Sequence, residues 1–172
     1  MLDIIAKRRS CRGYTNEPIE RAKIDEIIEA GLHAPSGINR QTPVIIEISD
    51  KETRDRLMDL NRRIGGWPEG FDPFYGAPTV LMVIARKNGL PVQDGSVTLE
   101  NMLLEATNQG LGSCWIHRAN EEIQSAEGRE ILSFTGLDFD EFVGVGHAII
   151  GYMAPNATYR DKTILEGRVF RK

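Results

Sequence analysis

The chain has few cysteines and no long apolar run. Its 172 residues contain two cysteines, Cys11 and Cys114, far apart and without CxxC spacing. This pattern argues against a disulfide framework and predicts reduced, partly buried thiols in a cytoplasmic protein. No segment reaches the ~18 apolar residues that cross a bilayer. Asp3 and the basic stretch from Lys7 to Arg12 are atypical of a signal peptide, so we expect no membrane partner.

Several familiar catalytic signatures are also missing. His33, His117 and His147 are widely separated and lack metal-ligand spacing, which predicts no metal site and leaves His147 as a core residue of an apolar strand. Gly144-Val145-Gly146 is not a dinucleotide fingerprint, because Ile149 occupies the place of its third glycine. The chain also lacks a GxxxxGK[ST] phosphate loop and a GxSxG elbow. We nominate no catalytic side chain.

The composition is that of an ordinary globular domain. Hydrophobic residues make up 41% and charged residues 27% of the chain. The formal net charge of -4 disfavours nucleic acid as a partner. The length predicts a single domain over residues 1–172.

Hydrophobic periodicity predicts helices and strands in alternation around one sheet, so the class is α/β or α+β. The tail from Met153 has no clear periodicity, and Gly65–Pro78 is rich in glycine and proline and predicts a functional loop. The expected helices are Leu2–Arg9, Pro18 to Leu32, Ser49 to Ile64 with a Ser49/Glu52 capping box, Asp94–Gln109 closed by Gly110, and one capped by Asn120. The expected strands are Pro43–Ile48, Thr79–Ala85, Ser113–Ile116 and Phe142–Tyr152.

Two short motifs near the start point to a cofactor. Arg8-Arg9-Ser10-Cys11-Arg12 places three guanidiniums and a hydroxyl within five residues, a set suited to a phosphate. The alternative interpretation of this motif is a solvated, basic end of the first helix. The segment Ala34–Gln41 (Ala-Pro-Ser-Gly-Ile-Asn-Arg-Gln) offers amides and a serine around a turn, although it also fits an ordinary helix-ending turn. Together they favour a phosphorylated, ring-containing cofactor, and FMN fits best.

With these motifs, the chain resembles the FMN-dependent nitroreductase family over nearly its whole length. Arg8–Arg12 corresponds to the Arg-x-Ser-x-Arg/Lys opening of that family, and Pro35–Gln41 to its Pro-Ser-x-x-Asn-x-Gln loop. Gly76-Ala77-Pro78, Asp94, Asn101 and Gly110–Ile116 follow in the expected order. The sequence departs from the pattern at Thr42, which precedes Pro43 where the family has Gln-Pro-aromatic.

The resemblance implies an α+β, nitroreductase-like three-layer sandwich. A central, mostly antiparallel sheet is flanked by helices, and FMN lies at the interface of a homodimer. The implied cofactor-binding residues form three groups. Arg8, Arg9, Ser10 and Arg12 hold the phosphate, ribityl chain and ring edge, with Arg160 or Lys162 closing the phosphate site. Pro35, Ser36, Gly37, Asn39 and Gln41 reach the flavin from the neighbouring subunit. The backbone of Trp115, Ile116, His117 and Arg118 faces the flavin N5 side.

The implied activity is that of an oxidoreductase in which NADH or NADPH reduces FMN, and FMN then reduces a nitroaromatic, a quinone or a similar small acceptor by ping-pong hydride transfer. Two alternatives remain open at this stage. One is a flavin-binding carrier or sensor without turnover. The other is a related flavin enzyme with its own metabolite, over which the Gly65–Pro78 loop would close. The aromatic residues of that loop fit a substrate-stacking role and a small structural core equally well; they are Trp67, Phe71, Phe74 and Tyr75.

Overall fold

A computed structural model describes all residues from Met1 to Lys172. Its centre is a four-stranded antiparallel sheet in the order β2-β3-β5-β4. The strands are β2 (Pro43–Ile48), β3 (Thr79–Arg86), β4 (Gly112–Ile116) and β5 (Phe142–Gly151). The two inner strands, β3 and β5, are almost entirely buried. The sheet therefore has two edges, β2 and β4, and both lie next to segments that the sequence analysis singled out.

The two faces of the sheet carry two separate apolar cores. In β3, Val80, Met82 and Ile84 belong to one core, and the intervening Leu81, Val83 and Ala85 belong to the other. This division follows from the two-residue period of a strand, which sends successive side chains to opposite faces. Because both faces of β3 are covered, its sequence is continuously apolar.

Helices cover both faces, so the molecule has three layers, and the α+β three-layer prediction is confirmed. On one side, α2 (Arg21–Leu32) and α4 (Pro91–Asn108) contribute Ile27, Leu99 and Met102 to the core. The other side is covered by α3 (Lys51–Ile64), α5 (Ala119–Gln124) and α6 (Ala126–Ile131). The short α1 (Asp3–Lys7) buries no residue. None of these helices is long and apolar enough to cross a membrane.

A second, two-stranded sheet was not predicted. It pairs β1 (Arg12–Tyr14) with β6 (Met153–Thr158), in the tail where the sequence shows no periodicity. The burial pattern of β6 explains the miss, because most of its side chains are exposed and none is buried. Nearby, Ser10 forms an isolated parallel bridge with Ser113, and the Cys11 N–H donates to the Ser113 carbonyl over 2.9 Å. The N-terminal segment is thereby fixed to the β4 edge of the main sheet.

Several expected boundaries were wrong. The first helix ends at Lys7, so Arg8 and Arg9 lie in extended chain. The N-cap of α3 is Asp50, whose carboxylate accepts from the Thr53 N–H over 2.8 Å, and not Ser49. Arg118 caps α5 in place of Asn120. The other shifts are small: α2 begins at Arg21 and not near Pro18, α4 begins at Pro91 and not at Asp94, and Ser125 separates α5 from α6.

The contact between β5 and α5 requires glycine at position 144. A Cβ at Gly144 would lie 2.3 Å from the Ala119 carbonyl carbon and from the Asn120 nitrogen, both backbone atoms. We therefore expect Gly144→Ala to lower the free energy of unfolding by about 3 kcal/mol through overpacking. The control is Gly136→Ala, where φ is +66° and a Cβ meets nothing within 4 Å. Its expected loss is only about 1 kcal/mol. Equal losses in urea denaturation would contradict this assignment.

Candidate cofactor site

A basic cavity of about 280 Å³ lies beside the β4 edge. All six residues that line it are polar or charged, and five are cationic. They are Arg8, Arg9, Ser10, Arg12, Arg160 and Lys162. The structure thus brings together every residue that the sequence analysis placed around the phosphate, including both tail candidates.

The chain just after α1 directs these side chains into the cavity. Arg9 Nη1 donates to the carbonyl oxygens of Ala6 (2.6 Å) and Arg8 (2.8 Å), which fixes the guanidinium against the helix end. Its Nε is buried and has no hydrogen-bond partner. The nearest carboxylate oxygen, on Asp161, is 3.9 Å from Nε. Because an unpaired buried donor is costly, an anionic or polar ligand that accepts from this atom would be stabilised.

A second cavity of about 170 Å³ shares Arg12 with the first. It is lined by the end of β4 with the following turn, Cys114–Arg118, and by the Gly65–Pro78 loop. Three aromatic residues of the loop pack on one another, with ring centroids 5.0 Å apart for Trp67 and Phe71 and 5.9 Å for Phe71 and Tyr75. The Arg12 guanidinium lies 5.9 Å from the centre of the Tyr75 ring. A charged pocket and an aromatic pocket therefore meet at Arg12.

The aromatic residues of the Gly65–Pro78 loop divide between the core and the cavity. Phe74 is fully buried in the core, against His147 and Arg54, so it is not available to a ligand. Trp67, Phe71 and Tyr75 line the cavity. Glycines permit this arrangement, because a Cβ at Gly65 would meet the Trp67 ring at 2.6 Å and a Cβ at Gly146 would meet Trp115 Nε1 at 2.4 Å.

The turn after β4 presents two free backbone donors. The Ile116 carbonyl accepts from a ring nitrogen of His147, and the His117 carbonyl accepts from Asn61, so both carbonyls point into the protein. In a trans peptide the N–H points away from the carbonyl of the same unit. The N–H groups of His117 and Arg118 therefore face away from the core, and neither donates a hydrogen bond within the chain. The turn closes at Arg118 with φ of +84°, which is unusual for a residue with a side chain.

The loop Pro35–Gln41 lies elsewhere, against α2 and α4. Ser36 and Gln41 line a cavity of about 200 Å³ that includes Thr98 but none of the arginines of the basic cavity. Ile38, Asn39 and Gln41 all have positive φ, from +47° to +57°. For the β-branched, exposed Ile38 such a φ is a strained outlier of the kind found at functional sites.

Internal hydrogen bonds maintain this strained loop. The buried carboxylate of Asp94 accepts from the Gly37 N–H over 3.0 Å and from the Thr42 hydroxyl over 3.3 Å. The Gln41 N–H donates to Ser36 Oγ over 2.8 Å. Three of the predicted residues, Pro35, Asn39 and Gln41, are exposed at the surface. The loop is therefore held in place without contact to the basic cavity.

The sheet separates the two halves of the predicted site. The loop leads into Pro43 on the β2 edge, whereas Ser10 adjoins Ser113 on the β4 edge, three strand spacings or about 14 Å away. The pairing register also places Pro43 and Ser113 at opposite ends of the strands. Along the strand direction the two residues are therefore separated by a further distance of at least ~16 Å. One chain therefore does not bring Arg8–Arg12 and Pro35–Gln41 together.

Both cysteines are buried, as predicted. Burial raises the pKa of the Cys114 thiol above its ordinary value, and hydrogen bonding to Ser10 and the charge of Arg12 offset this only in part. Burial likewise raises the pKa of Cys11. The thiols are therefore protonated at neutral pH, and Cys114 contributes an uncharged wall to the aromatic cavity.

Sequence reasoning missed Asn61 and Glu122, which contact the turn from behind. Both side chains are fully buried. A signal for Asn61 was present, because it falls four residues after Leu57 and three before Ile64 on the apolar face of α3. A polar residue at such a position needs a partner in the core. Its partners come from the turn after β4 and from α5, and the sequence alone does not show that these meet α3.

Comparison with known proteins agrees with this fold. The sequence profile of the "Nitroreductase family" matches residues 5–64. A protein of Archaeoglobus fulgidus, named among the NADH dehydrogenase/NAD(P)H nitroreductases, is 30% identical over 140 residues, which cover 76% of this chain and 75% of that protein. The "FMN reductase [NAD(P)H]" of Bacillus subtilis is 41% identical over 64 residues, 37% of this chain but only 24% of that enzyme.

Among solved structures, a nitroreductase with bound FMN from Bacteroides fragilis superimposes with a TM-score of 0.91. It is 27% identical in sequence, and the superposition covers 99% of this chain and 97% of that one. The superposition therefore extends over all three layers, not only over the N-terminal segment that the family profile matches. The sequence relationship to the Archaeoglobus protein and this structural likeness together show that the chain belongs to the nitroreductase family.

Proposed function

We propose that this protein is an FMN-dependent oxidoreductase that uses NADH or NADPH to reduce nitroaromatics, quinones or a similar small acceptor by ping-pong hydride transfer. The observation that carries the proposal is the junction at Arg12. There a cavity lined by five cations meets a cavity lined by aromatic rings and by a strand-end turn. A phosphate attached to a flat heterocycle matches that pair of cavities.

The residues present fit both ends of FMN. The unpartnered Nε of Arg9 and the hydroxyl of Ser10 offer donors to a phosphate, within a set of five positive charges. The N–H groups of His117 and Arg118 offer donors to a polar heterocycle edge, beside the rings of Trp67 and Tyr75. FAD fits less well, because its adenylate half would need a second phosphate site and a dinucleotide fingerprint that the chain lacks.

Bound FMN would supply the redox chemistry, accepting a hydride from the nicotinamide and passing two electrons to the acceptor. The protein supplies position and electrostatics. The basic cavity anchors the phosphate, and the two free N–H groups of the turn favour negative charge that develops beside them. The aromatic cluster of the Gly65–Pro78 loop provides flat surfaces for a planar acceptor or for nicotinamide. No side-chain acid or base is required by this scheme.

We also propose that the active form is a homodimer in which the Pro35–Gln41 loop of one subunit completes the site of the other. The diagonal separation of that loop from Arg8–Arg12 in one chain supports this arrangement. Exposed apolar side chains also support it. They include Leu2 just before α1, Ile5 on α1, Ile38 in the loop, and Ile164, Leu165, Val169 and Phe170 in the tail. Apolar surface of this extent is typical of a covered interface.

The function is tested with purified protein. We expect yellow protein that releases FMN and not FAD on denaturation. It should oxidise NADH or NADPH at steady state when a quinone or nitroaromatic is added, with the parallel double-reciprocal lines of a ping-pong reaction. Flavin binding without turnover, across a panel of acceptors, would favour a carrier or sensor. Protein that stays colourless after incubation with FMN would overturn the cofactor assignment.

Arg12→Ala tests the junction between the two cavities. Loss of a charge-assisted hydrogen bond costs about 1.5–3 kcal/mol, so we expect FMN affinity to fall about tenfold to a hundredfold. The fold should survive, because Arg12 is exposed and not part of the core. Flavin fluorescence titration measures the affinity. The matched control is Arg56→Ala. This surface arginine of α3 pairs with Glu130 of α6 and lies outside both cavities. Equal affinity in both variants would return Arg12 to a solvated surface role.

The shared site predicts that flavin binding and dimerisation strengthen each other. Because linkage is reciprocal, each bound FMN should lower the dimer dissociation constant by the same factor by which dimerisation raises FMN affinity, and the two FMN molecules of a dimer together lower it by the square of that factor. Sedimentation of the holo and apo protein across a dilution series measures the effect. A holo protein that sediments as a monomer at micromolar concentration, with FMN tightly held, would exclude the shared site but not the activity.

A further inference from the structure

A buried polar network lies directly behind the turn that follows β4. It consists of Asn61 on α3, Glu122 on α5 and His147 on β5, and all three are fully buried. Glu122 accepts from Asn61 Nδ2 over 2.6 Å through one carboxylate oxygen. Its other oxygen is 2.7 Å from His147 Nε2. Three separate elements are thus joined at one carboxylate.

The network has two outward contacts, and both are carbonyls of the turn. Asn61 Nδ2 also donates to the His117 carbonyl over 2.9 Å, so each hydrogen of this amide has its own acceptor. His147 Nδ1 donates to the Ile116 carbonyl over 3.2 Å. The peptide units held in this way are the two whose N–H groups, on His117 and Arg118, face away from the core without a partner.

The hydrogen-bond pattern fixes the proton count of the network. Since the Ile116 carbonyl can only accept, Nδ1 carries a proton, and a second proton lies between Nε2 and the carboxylate. The pair is therefore neutral overall, whichever of the two groups holds the shared proton. This neutrality makes its complete burial tolerable, since an uncompensated buried charge would be strongly destabilising.

Fold stability does not account for polar residues at these three buried positions. Replacing a buried polar group of this kind by apolar side chains of similar volume is often neutral or stabilising. Asn61 Oδ1 is buried and has no partner, which adds a desolvation cost. What apolar residues cannot do is hold the orientation of two successive peptide groups.

We propose that Asn61, Glu122 and His147 are positioning residues that hold the Ile116 and His117 carbonyls inward, and thereby aim the His117 and Arg118 N–H groups at the cofactor ring. This inference deepens the proposed function and rests on it for the identity of the ring. The network acts through hydrogen bonds and not through its charge. Without Asn61 the peptide between His117 and Arg118 is free to rotate, and its N–H is no longer held toward the cavity.

The principal test compares the midpoint potential of bound FMN in Asn61→Ala and Glu122→Gln. Reduction places negative charge on the flavin, so loss of an aimed N–H donor should disfavour the reduced form. For Asn61→Ala we expect at least a tenfold change in the two-electron equilibrium, which is about 30 mV in the negative direction.

Glu122→Gln is the conservative control variant, because glutamine can preserve every hydrogen bond of the network. The glutamine oxygen can accept from Asn61, its amide can donate to His147 Nε2, and Nδ1 still donates to Ile116. We expect less than a threefold change in the same equilibrium. A shift as large as that of Asn61→Ala would show that the charge of Glu122 matters, and it would overturn the positioning proposal.

The stability control is Leu132→Ala, a fully buried residue of the same apolar core that has no hydrogen bond to the turn through its side chain. It lowers stability without removing a hydrogen bond from Ile116 or His117, so the flavin potential should stay unchanged. An equal shift in Leu132→Ala, or no shift in Asn61→Ala, would overturn the proposal. If Asn61→Ala does not fold, Asn61→Leu takes its place, because leucine fills a similar volume. Its side chain offers no donor to the His117 carbonyl, so the same negative shift is expected.

A cofactor-free measurement separates this proposal from the proposed function. In flavin-free protein, the backbone ¹⁵N–¹H resonances of His117 and Arg118 should move in Asn61→Ala and stay in place in Leu132→Ala. This result is expected even if the wild-type protein binds no FMN, an outcome that would overturn only the proposed function. Unchanged amide resonances in Asn61→Ala, with normal flavin binding, would overturn the positioning role and leave the function standing.

Discussion

The site depends on the attachment of the N-terminal segment to the β4 edge. One hydrogen bond, from the Cys11 N–H to the Ser113 carbonyl, and the bridge between Ser10 and Ser113 fix this position. Cys11 points inward and is buried, whereas Arg12 is exposed, as alternation along an extended chain requires. Arg12 lines the basic cavity together with Arg8, Arg9 and Ser10, beside the β4 edge. Without this attachment the basic cavity would not adjoin the turn formed by Trp115–Arg118.

Two segments of the proposed site have strained backbone, and buried polar side chains support both of them. The Pro35–Gln41 loop and Arg118 both adopt left-handed backbone conformations that side chains disfavour. Each is supported by a buried polar group, Asp94 under the loop and Asn61 with its partners under the turn. Asp94 holds the loop backbone directly, and Glu122 acts on the turn only through Asn61 and His147. This arrangement explains why the core of so small a chain contains two buried carboxyl groups.

The two sheet edges have different roles. The β4 edge bears the basic and aromatic cavities, and the β2 edge bears the strained loop. The sheet cannot bring its own edges together, because the buried strands β3 and β5 lie between them. A two-fold partner provides the simplest closure, since it would offer the same loop to each site. The proposed dimer follows from this geometry as well as from the exposed apolar side chains.

Much of the fold could be predicted from the sequence because its signals are local. The apolar run of β3, the helical spacing of Ile24 and Ile27, and the clustering of Arg8–Arg12 depend only on neighbouring residues. The family follows from the order of such motifs. Local signals failed where pairing is distant, as for β6, whose mostly exposed residues form a strand only because β1 lies beside them.

The tertiary structure decided how the site is assembled. It brought Arg160 and Lys162 of the tail to the N-terminal arginines, buried Phe74 and left Trp67 and Tyr75 at the cavity. It also joined Asn61, Glu122 and His147, three residues that are up to 86 positions apart. The sequence by itself determined which chemical groups were available and the periodicity that buries or exposes them. Which groups meet depended on the register of β4 with β5 and on the packing of α3 and α5 against that pair, because contacts between distant segments leave no local pattern in a single chain.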